Sequence, residues 1–229
     1  MLVSDFPKVI NLQFIVFSSS MSVRVFPNNF KFGVATAAYQ IEGAWNASDG
    51  TTGDDACKSY EFYKRDIKMI KFLGVHFYRF SISWPRLFPN GFTNKISEDG
   101  RRYYDNLIDE LLANGIDPIV TMYHWDLPQS LQDLGGWANP LIADWFEDYA
   151  RTMFSLFGDR VKTWVTLNEP KQIGIFGYGM TRFAPGLDMA GIADYLAVKH
   201  MLLAHARAWH VYDKEFRETQ QGQYLTPNI

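Results

Sequence analysis

Glu169 stands at the end of an alternating run, T-W-V-T-L-N-E-P over residues 163–170, with the amide of Asn168 beside it. Polar and aromatic residues gather at equivalent points elsewhere: Gln40, Trp84, and the pair His124 and Trp125 each stand where a β-rich run stops. Arg79 lies inside another such run, F-Y-R-F-S. A carboxylate fixed at a strand end can exchange a proton at a defined point. Neutral amide and imidazole groups recognise hydroxyls, and an indole offers an apolar face and an N–H. Taken singly, each residue has a plainer use: Glu169 as a helix-capping acid, His124 as a satisfied core imidazole, Arg79 as an internal ion-pair partner. Their shared placement at strand ends favours a common chemical site.

The surrounding elements explain the placement. Three times a helical pattern stops at a glycine and a β-rich run follows: S-Y-E-F-Y-K-R-D-I-K-M-I-K-F-L-G before V-H-F-Y-R-F-S-I-S-W, R-R-Y-Y-D-N-L-I-D-E-L-L-A-N-G before I-D-P-I-V-T-M-Y-H-W, and a segment from Asn139 to Gly158 before V-K-T-W-V-T-L-N-E-P. Leu107, Ile108 and Leu111 mark the buried stripe of the second helix and Gly115 its left-handed cap. Asn139 reads as the N-cap of the third, with Pro140 in the first turn. An earlier strand, F-K-F-G-V-A-T-A-A-Y-Q, precedes them, and a helical pattern from Ile192 to Phe216 closes the series. Strands alternating with such helices require right-handed crossovers and a parallel sheet. With polar residues at the C-terminal strand ends, the pattern predicts an α/β fold of the (β/α) barrel type, with about four parallel strands. A doubly wound sheet would bring a phosphate loop after its first strand, and A-T-A-A-Y-Q-I-E-G-A-W contains no G-x-G-x-x-G.

Composition narrows the function classes. The chain has 229 residues and a net charge of −3, which creates no field that would gather nucleic acid or an anionic membrane. No run is long and apolar enough to span a bilayer. The one cysteine, Cys57, excludes an intramolecular disulfide. The histidines lack metal-ligand spacing and no cofactor loop is visible, so neither a metal nor a cofactor is expected. Residues 1–24 read as an N-terminal extension or a weak signal peptide: V-I-N-L-Q-F-I-V-F follows Lys8, but Asn11 and Gln13 interrupt it, and Met21 offers an alternative start. Secreted and cytoplasmic locations both stay open, and the sequon at Asn46 matters only for the first.

From F-K-F-G-V-A-T-A-A-Y-Q-I-E-G-A-W through Y-R-F-S-I-S-W-P-R-L-F-P-N-G and T-M-Y-H-W-D-L-P-Q-S-L-Q-D-L-G-G-W-A-N-P to T-L-N-E-P and A-P-G, the sequence is similar to glycoside hydrolase family 1, the β-glucosidase and myrosinase-like enzymes. The resemblance covers about Phe26 to Phe216 and implies the N-terminal half of a TIM-type (β/α)8 barrel over residues 25–229. It implies a hydrolase of O-glycosidic bonds that acts on a small β-glycoside. Glu169 would then be the general acid/base, Asn168 the amide on the sugar 2-hydroxyl, Gln40, His124 and Trp125 glycone-binding residues, and Arg79 a supporting residue near the nucleophile.

The departures from that family are equally specific. Its nucleophile lies in an E-N-G context, and no E-N-G occurs in this chain. The segment between E-G-A-W-N and G-D-D-A-C-K-S-Y is shorter than in the family, which implies a reduced rim after the first strand. Glu42 resembles a structural residue of the family rather than a substitute nucleophile. Half a barrel is expected to leave its first and fourth strands as open edges, through which copies could associate. A non-catalytic sugar-binding or interaction protein is the alternative reading of the same residues.

Overall fold

The computed structural model describes residues 25–43 and 56–225. The candidate leader, Asn46 and the shortened segment lie outside the described residues. Residues 25–30 belong to a separate N-terminal unit. In it the Phe30 N–H returns to the Pro27 carbonyl at 2.9 Å, and the rings of Phe26 and Phe30 lie 4.5 Å apart.

From Lys31 onward the chain alternates strands and helices. Strand β1 (Gly33–Ala35) leads into the short helix α1 (Ala38–Ile41), and helix α2 (Ser59–Phe72) precedes β2 (Phe77–Ser81). Helices α3 (Trp84–Leu87) and α4 (Glu98–Ala113) come before β3 (Asp117–Tyr123). Then α5 (Gln129–Asp133), a 3₁₀ turn at Gly136–Ala138 and α6 (Ile142–Phe157) lead to β4 (Thr163–Leu167). Helix α7 (Pro170–Gln172) runs into a π-helical stretch, Ile173–Gly179, followed by α8 (Ala193–Val211), a second π-helical stretch (Tyr212–Phe216), α9 (Arg217–Gln220) and β5 (Gln223–Leu225). The five strands are parallel and their spatial order equals their sequence order. Barrel topology requires that arrangement.

Local chemistry accounts for the main helices. Ser97 caps α4, its Oγ accepting from the Gly100 N–H at 3.2 Å, and the helix stops at Gly115, where φ is +72°. Tyr104, Ile108 and Leu111 bury its inner stripe. Asn139 Oδ1 accepts from the Leu141 N–H at 2.9 Å, and a tight turn carries the chain into α6 about two residues later than the sequence pattern implies. Gly158 serves close approach, not a left-handed cap: its φ is −72°, and a Cβ there would lie 2.0 Å from Gln220 Oε1.

Side chains of β2, β3 and β4 alternate across the sheet. Tyr78, Phe80, Val120, Met122 and Trp164 pack towards the helices, while Arg79 and Thr121 turn to the other face. Trp84, which the sequence pattern groups with the strand-end residues, is fully buried in the core. Its ring stacks on Tyr149 at 4.3 Å and its N–H donates to the Gly91 carbonyl at 3.0 Å. An indole whose N–H finds a backbone acceptor is satisfied inside the protein and has no call on solvent.

The sheet also corrects the expected edges. Gln223–Leu225 add a fifth strand to the roughly four predicted, paired with Thr163–Val165, so β4 is an interior strand and the open edges belong to β1 and β5. Tyr224 and Leu225 are good strand formers, and the turn at Gly222, where a Cβ would meet Tyr212 Oη at 2.3 Å, lets the chain reach β4. Among the described residues no helix is long and apolar enough to cross a membrane.

Candidate active site

Arg79, on the face of β2 opposite the helices, is the foundation of the site. Its Nε donates to Thr121 Oγ1 at 2.8 Å and its Nη2 to Asn168 Oδ1 at 2.8 Å, so one guanidinium joins β2, β3 and the end of β4. Those bonds fix the Asn168 amide, because an oxygen that accepts from arginine leaves the NH2 group facing the other way. That NH2 lies 3.0 Å from His124 Nε2. The imidazole nitrogen must therefore accept, which places the ring proton on Nδ1. Burial, aided by the Arg79 charge, pushes His124 down to about 4, consistent with a neutral ring.

The backbone completes the arrangement. The Asn168 N–H donates to the Tyr123 carbonyl at 3.0 Å, extending the ladder one residue past β4. Its own carbonyl accepts the Trp125 indole N–H at 3.0 Å. The sequence offers that N–H to a ligand; in the structure it is committed to the backbone, and the indole face remains, 5.3 Å from the ring of Phe183. Both Trp125 (φ +78°) and Glu169 (φ +49°) occupy the left-handed region, at a cost on the order of 1–3 kcal/mol each. Strained residues persist where the surroundings over-determine them, and here two flank one amide.

Glu169 itself is exposed. It precedes Pro170 of α7 and its carbonyl accepts from the Gln172 and Ile173 N–H groups, yet its carboxylate makes no cap hydrogen bond. The helix-capping use is therefore not the one seen. Nor is Arg79 an ion-pair partner: among the described residues its donors go to a hydroxyl and an amide, although burial lowers its pKa and the nearby Glu169 charge works against that shift. Gln40 is exposed on α1, beyond β1, and the described hydrogen bonds of the cluster do not reach it. The structure thus gathers Glu169, Asn168, His124, Trp125 and Arg79, with Gln40 on α1 beyond the adjacent strand β1.

Two further groups support the cluster, of which only Thr121 escapes sequence reasoning. Thr121 is the hydroxyl that anchors Arg79; its position in the β3 alternation, two residues before Tyr123, is the only sequence signal for it. Behind the site, Glu42 accepts from Arg86 Nε at 2.9 Å and from Tyr104 Oη at 3.0 and 3.1 Å. Burial raises its carboxyl to about 7 even against those partners, and the residue is a structural link in the fold. Among the described residues no group of three or more His, Cys, Asp or Glu could hold a metal ion.

Parallel strands in barrel order, with a carboxylate that makes no cap bond and a fixed amide at a C-terminal strand end, define the class: part of a (β/α)-barrel scaffold with its polar groups gathered at the C-terminal strand ends. The sequence model for Glycosyl hydrolase family 1 matches residues 22–52 and 46–228. The chain belongs to that family. It is 48% identical over 217 residues to myrosinase 1 of Brevicoryne brassicae, covering 86% of this chain and 47% of that protein. The solved aphid myrosinase superposes with a TM-score of 0.85 at 48% identity, over 89% of this chain and 48% of the other. A β-glucosidase from Thermotoga maritima in complex with glucoimidazole superposes with a TM-score of 0.79 at 47% identity, over 88% and 49%. The chain spans about half the length of the relatives it matches.

Proposed function

We propose that residues 25–229 carry the acid/base half of a retaining β-glycosidase site of the β-glucosidase type. Glu169 protonates the glycosidic oxygen as the bond to the leaving group breaks, then takes a proton from the attacking water. Asn168 keeps one amide N–H beyond its contact with His124 and presents it to the 2-hydroxyl. His124 offers Nδ1–H and Gln40 its side-chain amide to the glycone, while the Trp125 ring covers its apolar face. Arg79 holds Asn168 and adds positive charge where the nucleophile stands in a complete site. The observation that carries this reading is Glu169 itself, held in a costly left-handed conformation with its carboxylate free of cap bonds, beside an Asn168 whose side-chain amide is fixed by Arg79 and His124 and whose backbone carbonyl is held by Trp125.

A retaining glycosidase needs a second carboxylate about 5–5.5 Å from the first. The E-N-G context of the family nucleophile does not occur in this sequence, and Glu42 is already held by Arg86 and Tyr104. Turnover in this reading therefore needs a chain segment that supplies the nucleophile. The test is release of aryl alcohol from an aryl β-glucoside by the 229-residue chain, alone and mixed with the C-terminal half of the Thermotoga maritima β-glucosidase. Turnover is expected only in the mixture and should fall at least a hundredfold in Glu169→Gln, the lower end of what a general acid contributes. Activity indifferent to that substitution overturns the assignment. Binding of glucoimidazole without turnover in any mixture would favour the sugar-binding alternative, which the neutral ligand-facing groups also suit.

A further inference from the structure

The turn His124–Trp125–Asp126 carries a third polar residue. Asp126 Oδ1 accepts from the His124 backbone N–H at 3.4 Å, closing the turn around Trp125, whose φ is +78°. A bulky aromatic residue does not adopt that conformation without an external tie. The other carboxyl oxygen, Oδ2, is sealed from solvent and among the described residues has no partner at full hydrogen-bond geometry, with the Ser83 hydroxyl beside the carboxyl, although the residue as a whole is half-buried. A carboxyl is a poor choice for filling space, because a leucine of similar size would carry no desolvation cost. Its retention in a buried position needs the bond it makes.

We propose that Asp126 is a positioning residue for the Glu169 site: its carboxyl holds Trp125 in the left-handed turn, and the indole N–H in turn fixes the Asn168 carbonyl that leads into Glu169. The route is short and made of measured contacts, from Asp126 to the His124 N–H at 3.4 Å and from the Trp125 indole to Asn168 O at 3.0 Å. The inference rests on the glycosidase reading for its consequence, though not for its geometry. Glu42, Tyr149 of α6 and Tyr123 of β3 all act electrostatically on or through Asp126, and the Ser83 hydroxyl is its near neighbour. The Ser83 N–H donates to Tyr104 Oη at 2.8 Å, and Tyr104 donates to Glu42, which pairs with Arg86. Burial first, and the Glu42 charge further down, push the Asp126 carboxyl up to about 7. The turn is thus held by a group that changes charge near neutrality.

The experiment uses the ¹⁵N-labelled 229-residue chain, with the Trp125 indole N–H resonance assigned by its loss in Trp125→Phe. In the wild-type chain that resonance is expected to move with a midpoint near pH 7. In Asp126→Asn, which keeps an acceptor but no titrating proton, it should stay put, with glucoimidazole affinity within about threefold of wild type. In Asp126→Ala the indole proton should exchange at least about tenfold faster and glucoimidazole affinity should fall about tenfold, the scale of one lost hydrogen bond. A folded Asp126→Ala chain with unchanged indole exchange overturns the proposal. Should that variant fail to fold, an indole shift equally pH-independent in wild type and Asp126→Asn overturns it instead. Absence of glucoimidazole binding by the wild-type chain would sink the glycosidase reading and leave both indole results to decide the role of Asp126.

Discussion

At the scale of single residues, the most consequential choice is the proton position on His124. Asn168 turns its NH2 towards Nε2 because Arg79 already holds its oxygen, so a second ring proton would set two donors face to face. The folded value is pushed down, by burial and then by Arg79, to about 4 from an ordinary 6.5. The unfolded chain therefore takes up a proton between those values that the folded chain refuses. Stability from this group is present above pH 6.5 and is lost as pH falls towards 4. Proton NMR of the His124 ring should show no titration between pH 8 and pH 5.5, and a midpoint near 6.5 would remove the basis for the assigned tautomer. The residues of this cluster were legible in the sequence because each stands where a strand ends. Their bonds were not. Nothing in H-W-D reveals that the indole N–H is spent on a backbone carbonyl, since that depends on a φ angle that tryptophan rarely takes.

At the scale of elements, the helix stops and strand starts were readable from glycines and periodicity, as at Gly115, whereas close contacts between elements were not. Gly158 has the look of a cap and is instead the space into which the Gln220 side chain fits. Trp84 resembles a strand-end ligand residue but stacks on Tyr149 of α6, a partner separated by 65 positions in the chain. The link between α1, α3 and α4 is of the same kind. Glu42, Arg86 and Tyr104 form one buried polar junction, in which Arg86 also lies 4.4 Å from the centre of the Tyr60 ring. Burial raises the Glu42 carboxyl from 4.5 to about 7, so the folded chain keeps a proton that the unfolded chain releases across that interval. The stabilising contribution is full below pH 4.5 and lost as pH rises through 7. Glu42→Gln, which keeps the shape of the protonated carboxyl without its titration, should change stability little at pH 5 and remove much of the loss between pH 5 and pH 8. Urea unfolding of both proteins at the two pH values measures each effect, and an unchanged pH dependence would contradict the raised carboxyl.

At the scale of the whole molecule, the sheet presents β1 and β5 as open edges, with barrel order throughout and the site at one end. The fifth strand was out of reach of sequence reading because a three-residue run, Q-Y-L, carries too little periodicity to separate strand from loop. The remaining global property follows from Glu169. It occupies the left-handed region immediately before Pro170, and a residue preceding proline is already biased towards extended backbone. Glycine meets that geometry without a Cβ penalty. Replacing the proposed catalytic acid by glycine should therefore raise the melting temperature, with a gain of about 1 kcal/mol, while it abolishes proton transfer. Substitution at a core position of this fold does the reverse. In a library of all variants at position 169 scored only for abundance in cells, with no glycoside present, the wild-type glutamate should rank below glycine and asparagine, and a top rank for glutamate would show that its backbone carries no such burden. Selection that tolerates a less abundant protein at one position records a demand other than folding, and it does so before any substrate is known.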